Sequence, residues 1–311
     1  MRVLLTGGAG MLGSSIAAEW RVQRPLDELI VATRQDADLR DRTQTREFFA
    51  ASRPDAIIHA AAKVGSIQAK IAEPTTYLLD NLLLDSSVLS AAIELKIPEL
   101  VYVSSAAIYP AEVRQPIVES DLLGGPLEAA NEGYSLAKIA AGKVCEYASR
   151  QFGFRYRVVA PSNLYGPNDD YSLGHGHLVA AAIAKIHAAT VAGNPTVEVW
   201  GDGTARREFT YVVDLAKWLV TQVGSLEDWP EVLNLGCGTD HSIAEYYEVA
   251  KKVVGYTGSF VFAPSKPSGV PQRLLDSTHA RALGWNPTTS LEIGMAASYA
   301  KFLTSPLAER Q

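Results

Sequence analysis

The sequence predicts an α/β fold: a doubly wound parallel sheet followed by a smaller C-terminal α/β part. Short apolar runs alternate with amphipathic stretches through the first half, the pattern of parallel strands with helices on both faces. A glycine-rich turn, Thr6-Gly7-Gly8-Ala9-Gly10-Met11-Leu12-Gly13, falls inside the first strand–helix unit. The length of 311 residues suits one large or two modest domains.

In chain order, Val3-Leu4-Leu5 is the first strand, and Leu12 to Trp20 has apolar residues at helical spacing after the turn. Glu28 to Ala32 is the next strand, and Asp41 is placed to cap a helix through Phe48 and Phe49. Ala56 to Ala62 is a buried-strand run. Pro74 suits a helix start, and an apolar-periodic stretch follows to about Leu95. Glu99 to Ser105 is a strand. A loop rich in Pro, Glu and Gly precedes a helix from about Gly133 to Phe152, then the strand Arg155 to Pro161. The second half is less regular. It has a loop over Gly166 to Gly176, helices over His177 to Ala189, Val213 to Val223 and Ile243 to Val254, and strands at Thr196 to Trp200, Val232 to Gly236 and Phe260 to Phe262. Pro264 to Pro271 is a proline-rich loop, and an amphipathic helix spans Leu291 to Leu303. The expected division is a cofactor domain over 1–160 and a mainly substrate-binding domain over 161–311, with a segment at about 205–240 crossing back.

Composition narrows the function classes. Apolar residues make up 47% and charged residues 20%, an ordinary globular balance. Two cysteines, Cys145 and Cys237, suit a reducing compartment and provide no thiol cluster for zinc. A net charge of −6 gives no general attraction to nucleic acid or an anionic membrane, though a local basic pocket for a small anion remains open. No apolar run approaches the roughly 18 residues of a membrane span, and the N-terminus lacks a signal-peptide pattern. No His/Asp/Glu cluster has metal-ligand spacing, so no metal is expected. A cytoplasmic protein is expected.

The glycine turn carries the first chemistry. Gly7, Gly10 and Gly13 let the backbone turn tightly and approach a pyrophosphate, and the helix opening at Met11 and Leu12 offers free N–H groups. In this position the turn predicts a dinucleotide site of the Rossmann type. About 20 residues on, where an acid usually binds the ribose 2′-hydroxyl, stands Arg34. A guanidinium there favours the 2′-phosphate of NADP(H). The alternative is a solvated Arg34, with Asp36 or Asp38 on the ribose.

Tyr134 and Lys138 lie four residues apart at a helix start and share one face. An ammonium beside a phenol favours the tyrosinate and lowers its pKa, readying Tyr134 to exchange a proton with a carbonyl or hydroxyl oxygen during hydride transfer. Ser105, ending a strand, can hydrogen-bond the same oxygen. The bland alternative is a surface Tyr/Lys pair.

Together, TGGAGMLG, the serine of SSAAIY and YSLAK resemble the extended short-chain dehydrogenase/reductases. AAAKVGS at 60–66, NEGYSLAKIAAGKVCE at 131–146, PSNLYGPND at 161–169, VWGDGTARREF at 199–209 and SKPSGVPQRLLD at 265–276 narrow the resemblance to the GDP-L-fucose synthase family, over about residues 1–305. That family converts GDP-4-keto-6-deoxy-D-mannose to GDP-L-fucose by epimerising C3 and C5 and then reducing C4 with NADPH. The resemblance implies Ser105, Tyr134 and Lys138 as the reductase triad and His177, in GHGHLVAAAI, as the acid of epimerisation. It implies Asp38, Leu39, Ala61, Pro161, Asn163 and Leu164 as further cofactor contacts, with Lys138 shared. On the GDP-sugar it implies Ser105, Asn163, His177, Lys185, Trp200, Arg207 and Lys266. It also implies a homodimer in which the helix after Pro74 and the helix carrying Tyr134 pair with their copies. Leu78, Leu79, Leu82, Leu83, Leu84, Val88 and Leu89 suit a helix buried on two sides.

One position departs from the family. Its cysteine base, two residues before the tyrosine of SSAAIY, is Ala107 here, and a methyl group takes no proton. The reading is therefore an NADPH-dependent 4-keto reductase of a GDP-4-keto-6-deoxy-hexose. Alternatives are the complete synthase, with another group or water as base; an NAD-retaining nucleotide-sugar epimerase or dehydratase; and a non-catalytic cofactor-binding regulator. Of the remaining histidines, His59 suits a satisfied core position and His187 an exposed one. His175, two residues from His177, is the expected substitute base.

Overall fold

The alternating pattern folds into β1 (Arg2–Thr6), α1 (Met11–Gln23), β2 (Glu28–Ala32), α2 (Arg42–Ser52), β3 (Ala56–His59), a short α3 (Ile67–Ala72), the long α4 (Pro74–Glu94), β4 (Glu99–Val103), α5 (Glu132–Phe152) and β5 (Arg155–Pro161). Then come β6 (Asn163–Tyr165), α6 (Leu178–Ala192), β7 (Thr196–Trp200), β8 (Arg206–Tyr211), α7 (Val212–Gln222), β9 (Val232–Leu235), β10 (Asp240–Ser242), α8 (Ile243–Val254), β11 (Ser259–Ala263), β12 (Gln272–Arg273), α9 (Thr278–Ala282) and α10 (Leu291–Leu303). This computed structural model describes residues 1–172, 176–266, 269–306 and 308; His175 and part of the Pro264–Pro271 loop lie outside the described residues.

The large sheet has six parallel strands in the order β2-β1-β3-β4-β5-β9. Val3 to Leu5 and Ala56 to Ile58 are wholly buried, which is why their strands are unbroken apolar runs: helices cover both faces. On one face, Leu12, Ile16 and Trp20 of α1 pack with Leu215 and Leu219 of α7. On the other, Phe49 of α2, Val88 and Leu89 of α4 and Ala141 and Cys145 of α5 form a second core. In the 205–240 segment, α7 and β9 return to this sheet, whereas β8 pairs with β10, β12 and β6. A further pair, β7 with β11, borders the C-terminal core of α6, α8 and α10.

The parallel strands direct their carboxyl ends to one edge. The segments leaving β1, β2, β3, β4 and β5 there carry Gly7, Arg34, Ala61, Ser105 and Ser162. This is the edge at which such sheets bind ligands. Among the described residues no helix is long and apolar enough to cross a membrane. None gather into a group of three or more His, Cys, Asp or Glu able to hold a metal.

Candidate active site

The glycine turn is built to admit a pyrophosphate. Gly7 has φ +74°, and a Cβ there would lie 2.6 Å from the backbone nitrogen of Ala61. A Cβ at Gly13 would lie 2.1 Å from the Gly7 carbonyl oxygen. Both positions are therefore closed to any other residue. α1 opens at Met11 and Leu12 after Gly10, with no side-chain cap and no acid in its first turn, so its N–H groups and partial positive charge face outward. These features fit a dinucleotide.

Beyond β2, the two acids read as alternative ribose partners are turned into their own loop. Asp36 accepts from the Thr33 amide and hydroxyl at 2.8 and 2.6 Å. Asp38 pairs with Arg40 at 2.9 Å. Both carboxyls are held below their ordinary range, Asp36 by the Thr33 hydroxyl first and Asp38 by Arg40 first. Arg34 is exposed beside them and makes no ion pair among the described residues. Leu39 follows Asp38, Ala61 donates its amide to Thr6 Oγ1 at 3.2 Å, Pro161 ends β5, and Asn163 and Leu164 begin β6.

Ser105 lies two residues beyond β4 and caps a 3₁₀ turn, its Oγ accepting from the Ala107 amide at 3.2 Å. Ser135 of α5 donates to the Ala107 carbonyl at 2.8 Å, which fixes that turn against the helix. Ser105 hydrogen-bonds the Tyr134 phenol, itself buried at 6% exposure. The structure thus brings Ser105, Tyr134 and Lys138 together.

The expected lowering of the Tyr134 pKa by Lys138 is corrected here. Burial pushes the phenol well up, the Asp85 carboxylate adds to the rise, and the Ser105 bond opposes it. Burial is the larger cause, and the Lys138 ammonium is engaged by Asp85 Oδ2 at 3.8 Å and the Val103 carbonyl at 3.2 Å. Asp85 anchors a network absent from the sequence reading. Its Oδ1 lies 3.0 Å from His59 Nε2, its Oδ2 accepts from the Tyr102 hydroxyl at 2.6 Å, and His59 Nδ1 meets Thr6 Oγ1 at 2.7 Å. His59, Asp85 and Lys138 are 0%, 2% and 1% exposed. Asp85 nevertheless has a lowered pKa, because Lys138, His59 and Tyr102 together outweigh its desolvation.

On the other side of Tyr134 are two groups of different character. Lys70 Nζ lies 4.5 Å from the Tyr134 ring centre and 2.9 Å from Asn131 Oδ1. Burial lowers its pKa to about 8, against the pull of Glu128. His177, half-buried at the start of α6, is pushed down to about 4 by burial and by the charge of Lys70. Lys70, like Asp85, was missed by sequence reasoning.

Of the expected sugar-nucleotide contacts, Trp200, Lys185 and Lys266 meet: the two ammonium groups lie 5.8 and 5.5 Å from the Trp200 ring. Arg207 is elsewhere, beside Glu128, Ile67 and Gly269. Asn163 is exposed on β6. His187, expected exposed, is buried: Nδ1 lies 3.0 Å from the Tyr299 hydroxyl and the ring packs on Phe302. It was misread because the helix around it is apolar on nearly every side. His59 is the satisfied core histidine expected.

Comparison with known proteins places this geometry. Residues 3–236 match the model of the NAD dependent epimerase/dehydratase family. The chain is 41% identical over 310 residues to the GDP-L-fucose synthase of Escherichia coli, covering 97% of this chain and 96% of that protein. It is 38% identical over 304 residues to the GDP-L-colitose synthase of Yersinia pseudotuberculosis, covering 97% and 98%. Among solved structures, a GDP-6-OMe-4-keto-L-xylo-heptose reductase from C. jejuni superposes with a TM-score of 0.90 at 25% identity, covering 97% of each chain. A GDP-L-fucose synthetase from Naegleria fowleri bound to NADP superposes with a TM-score of 0.86 at 25% identity, covering 97% and 92%. By these matches the fold agrees with these relatives, and the chain belongs to the NAD dependent epimerase/dehydratase family, among its GDP-L-fucose synthase-like members.

Proposed function

We propose that this enzyme reduces the C4 ketone of a GDP-4-keto-6-deoxy-hexose with NADPH. The observation that carries the reading is the Ser105–Tyr134 hydroxyl pair set over Lys138 at the sheet edge that also holds the glycine turn. Gly7, Gly10, Met11, Leu12 and Gly13 would hold the pyrophosphate, with Arg34 on the 2′-phosphate. Asp38, Leu39, Ala61, Lys138, Pro161, Asn163 and Leu164 would line the rest of the cofactor site. A reduced nicotinamide supplies the hydride when bound.

This chain's residues do the rest. Ser105 and Tyr134 hydrogen-bond the C4 oxygen, and Tyr134 gives it a proton. Its raised pKa suits that direction, because a buried neutral phenol keeps a proton to give at neutral pH. Trp200, Lys185 and Lys266 offer a ring face and two ammonium groups to the nucleotide diphosphate, with Arg207 and His177 nearer the sugar. In this scheme residues 1–160 chiefly carry the cofactor and 161–311 the substrate. Leu79 and Leu83 of α4 and Leu136, Val144 and Tyr147 of α5 are exposed, which supports a second copy docking on these helices. The free cysteines suit the cytoplasm.

Tyr134→Phe keeps the ring and removes the proton. It is expected to bind NADPH and oxidise it at least ~10²-fold more slowly with GDP-4-keto-6-deoxy-mannose. Near-normal turnover in a stopped-flow absorbance assay would remove Tyr134 from the mechanism.

A further inference from the structure

The donors beneath Tyr134 converge on Asp85. An ionised carboxylate accepts hydrogen bonds and donates none. His59 Nε2, 3.0 Å from Asp85 Oδ1, therefore carries the imidazole proton, and Nδ1 is left as an acceptor. The Thr6 hydroxyl faces Nδ1 at 2.7 Å and donates to it, while its oxygen accepts the Ala61 amide. From the other side, Tyr102 donates to Asp85 Oδ2 at 2.6 Å. Every proton of the chain from Thr6 to Asp85 is thus assigned. The chain begins at the residue before the glycine turn and ends beside Lys138 of α5.

The Lys138 ammonium has three N–H groups. It donates to the Val103 carbonyl at 3.2 Å, with Asp85 Oδ2 at 3.8 Å and the Tyr102 ring centre at 4.5 Å. The titratable groups around it are Asp85 of α4, His59 of β3, Tyr102 of β4, and Cys145 and Tyr134 of α5. Burial keeps the two phenols and the thiol protonated and the imidazole neutral, so Asp85 is the one negative charge among them. Lys138 is 1% exposed, and water cannot replace that charge. We propose that Asp85 is a positioning residue for the reduction: it holds the Lys138 ammonium charged and fixed at the cofactor edge, leaving the remaining N–H of Lys138 to the cofactor. The proposal rests on the reading of Lys138 as a cofactor contact given above.

His59 and Tyr102 pin the two oxygens of Asp85 separately, so the carboxylate cannot swing away from Lys138. An amide in its place has one acceptor and two donors. It cannot satisfy His59, Tyr102 and Lys138 together, and it carries no charge. A buried ammonium without a counter-charge gives up its proton at a lower pH. Its contact with the cofactor is then lost as pH rises. A carboxylate that only braced the fold would change stability without changing how cofactor binding depends on pH.

The test uses the full chain. Fluorescence reads NADPH affinity from pH 7 to pH 9.5, circular dichroism verifies folding at each pH, and reduction of GDP-4-keto-6-deoxy-mannose is followed alongside. Asp85→Asn is expected to lose at least ~10-fold more affinity than wild type between pH 7 and pH 9. Asp85→Glu restores the charge on a longer arm and is expected to return the profile toward that of wild type. Tyr102→Phe removes one hydroxyl and keeps both the carboxylate and the ring beside the ammonium, so it serves if Asp85→Asn does not fold. Its alkaline loss is expected at the wild-type pH or higher. A folded Asp85→Asn that follows the wild-type profile would overturn the proposal. So would an alkaline loss at lower pH in Tyr102→Phe, since the phenol rather than the carboxylate would then hold Lys138. NADPH binding needs no sugar, so a wild type that binds NADPH yet never oxidises it with this substrate would refute the substrate reading and leave the Asp85 result standing.

Discussion

The two sides of Tyr134 hold their charges in opposite ways. Beneath the ring, every member of the Lys138–Asp85–His59–Tyr102 group meets another at 3.8 Å or less, and all of it is shut from solvent. In front, Lys70 leans on a neutral amide and His177 is half-buried. A closed set of partners fixes both geometry and protonation, so the lower group serves as a foundation. An open set keeps proton capacity available, and it lies on the side of Tyr134 where the proposed substrate would sit.

The largest effect that would break this comparison is on the foundation. Asp85→Asn keeps the shape and removes the charge, leaving the Lys138 ammonium buried without its counter-charge. Breaking a buried pair from one side costs about 3–5 kcal/mol, and that loss should appear as a lower urea midpoint. Combining it with Lys138→Met should restore most of the stability, because no unpaired charge then remains. An unchanged midpoint in the single variant would mean that the lower group is no more closed than the upper.

A smaller effect concerns the cofactor edge. Asp36 and Asp38 are satisfied within their own loop, which leaves Arg34 the exposed charge for a 2′-phosphate. A charge-assisted bond contributes roughly 1.5–3 kcal/mol, one to two decades in affinity. Arg34→Ala should weaken NADPH by that factor and leave NADH nearly unchanged in a fluorescence titration. Equal wild-type affinity for the two cofactors would rule out the contact.

The legibility of these parts in the sequence follows from how local their signals are. The glycine turn, and Tyr134 with Lys138, depend on spacings inside one strand–helix unit or one helix, so residue order alone reveals them. β8 begins with Arg206-Arg207, and β10 and β12 span only three and two residues, so no apolar alternation announces them. Asp85 had a signal that was passed over. With Tyr77, Asn81, Val88, Leu89 and Ala92 it lies on the buried stripe of α4, and a carboxylate on such a stripe requires a partner. That partner comes from α5, which no spacing within α4 could supply. Lys70 had none: α3 is six residues long, buries no residue fully, and shows no periodicity to orient its side chains. The Tyr134 pKa was misjudged because burial, which the four-residue spacing to Lys138 does not reveal, is the largest influence on it, with Asp85 of another helix adding to the rise.

The smallest predicted effect is a pH dependence of stability, and its sign follows from the closed group. Burial lowers the His59 pKa from its ordinary 6.5, with Lys138 acting in the same direction and Asp85 opposing. The unfolded chain therefore binds a proton near pH 6.5 that the folded ring resists. Stability is full above that pH and falls as the solution is acidified below it. Asp85 adds to the same trend, because its folded pKa is also depressed and its contribution is lost as it protonates. Between pH 7 and pH 5 the histidine contributes a loss of up to about 2 kcal/mol. His59→Gln places an amide where the ring was, able to bond both Thr6 and Asp85 yet unable to titrate. A lower denaturation midpoint at pH 7 does not affect the test, which compares slopes: the variant should lose less stability than wild type on going to pH 5. Parallel curves would show that the ring titrates alike in the folded and unfolded chains, and that the group beneath Tyr134 is open to protons after all.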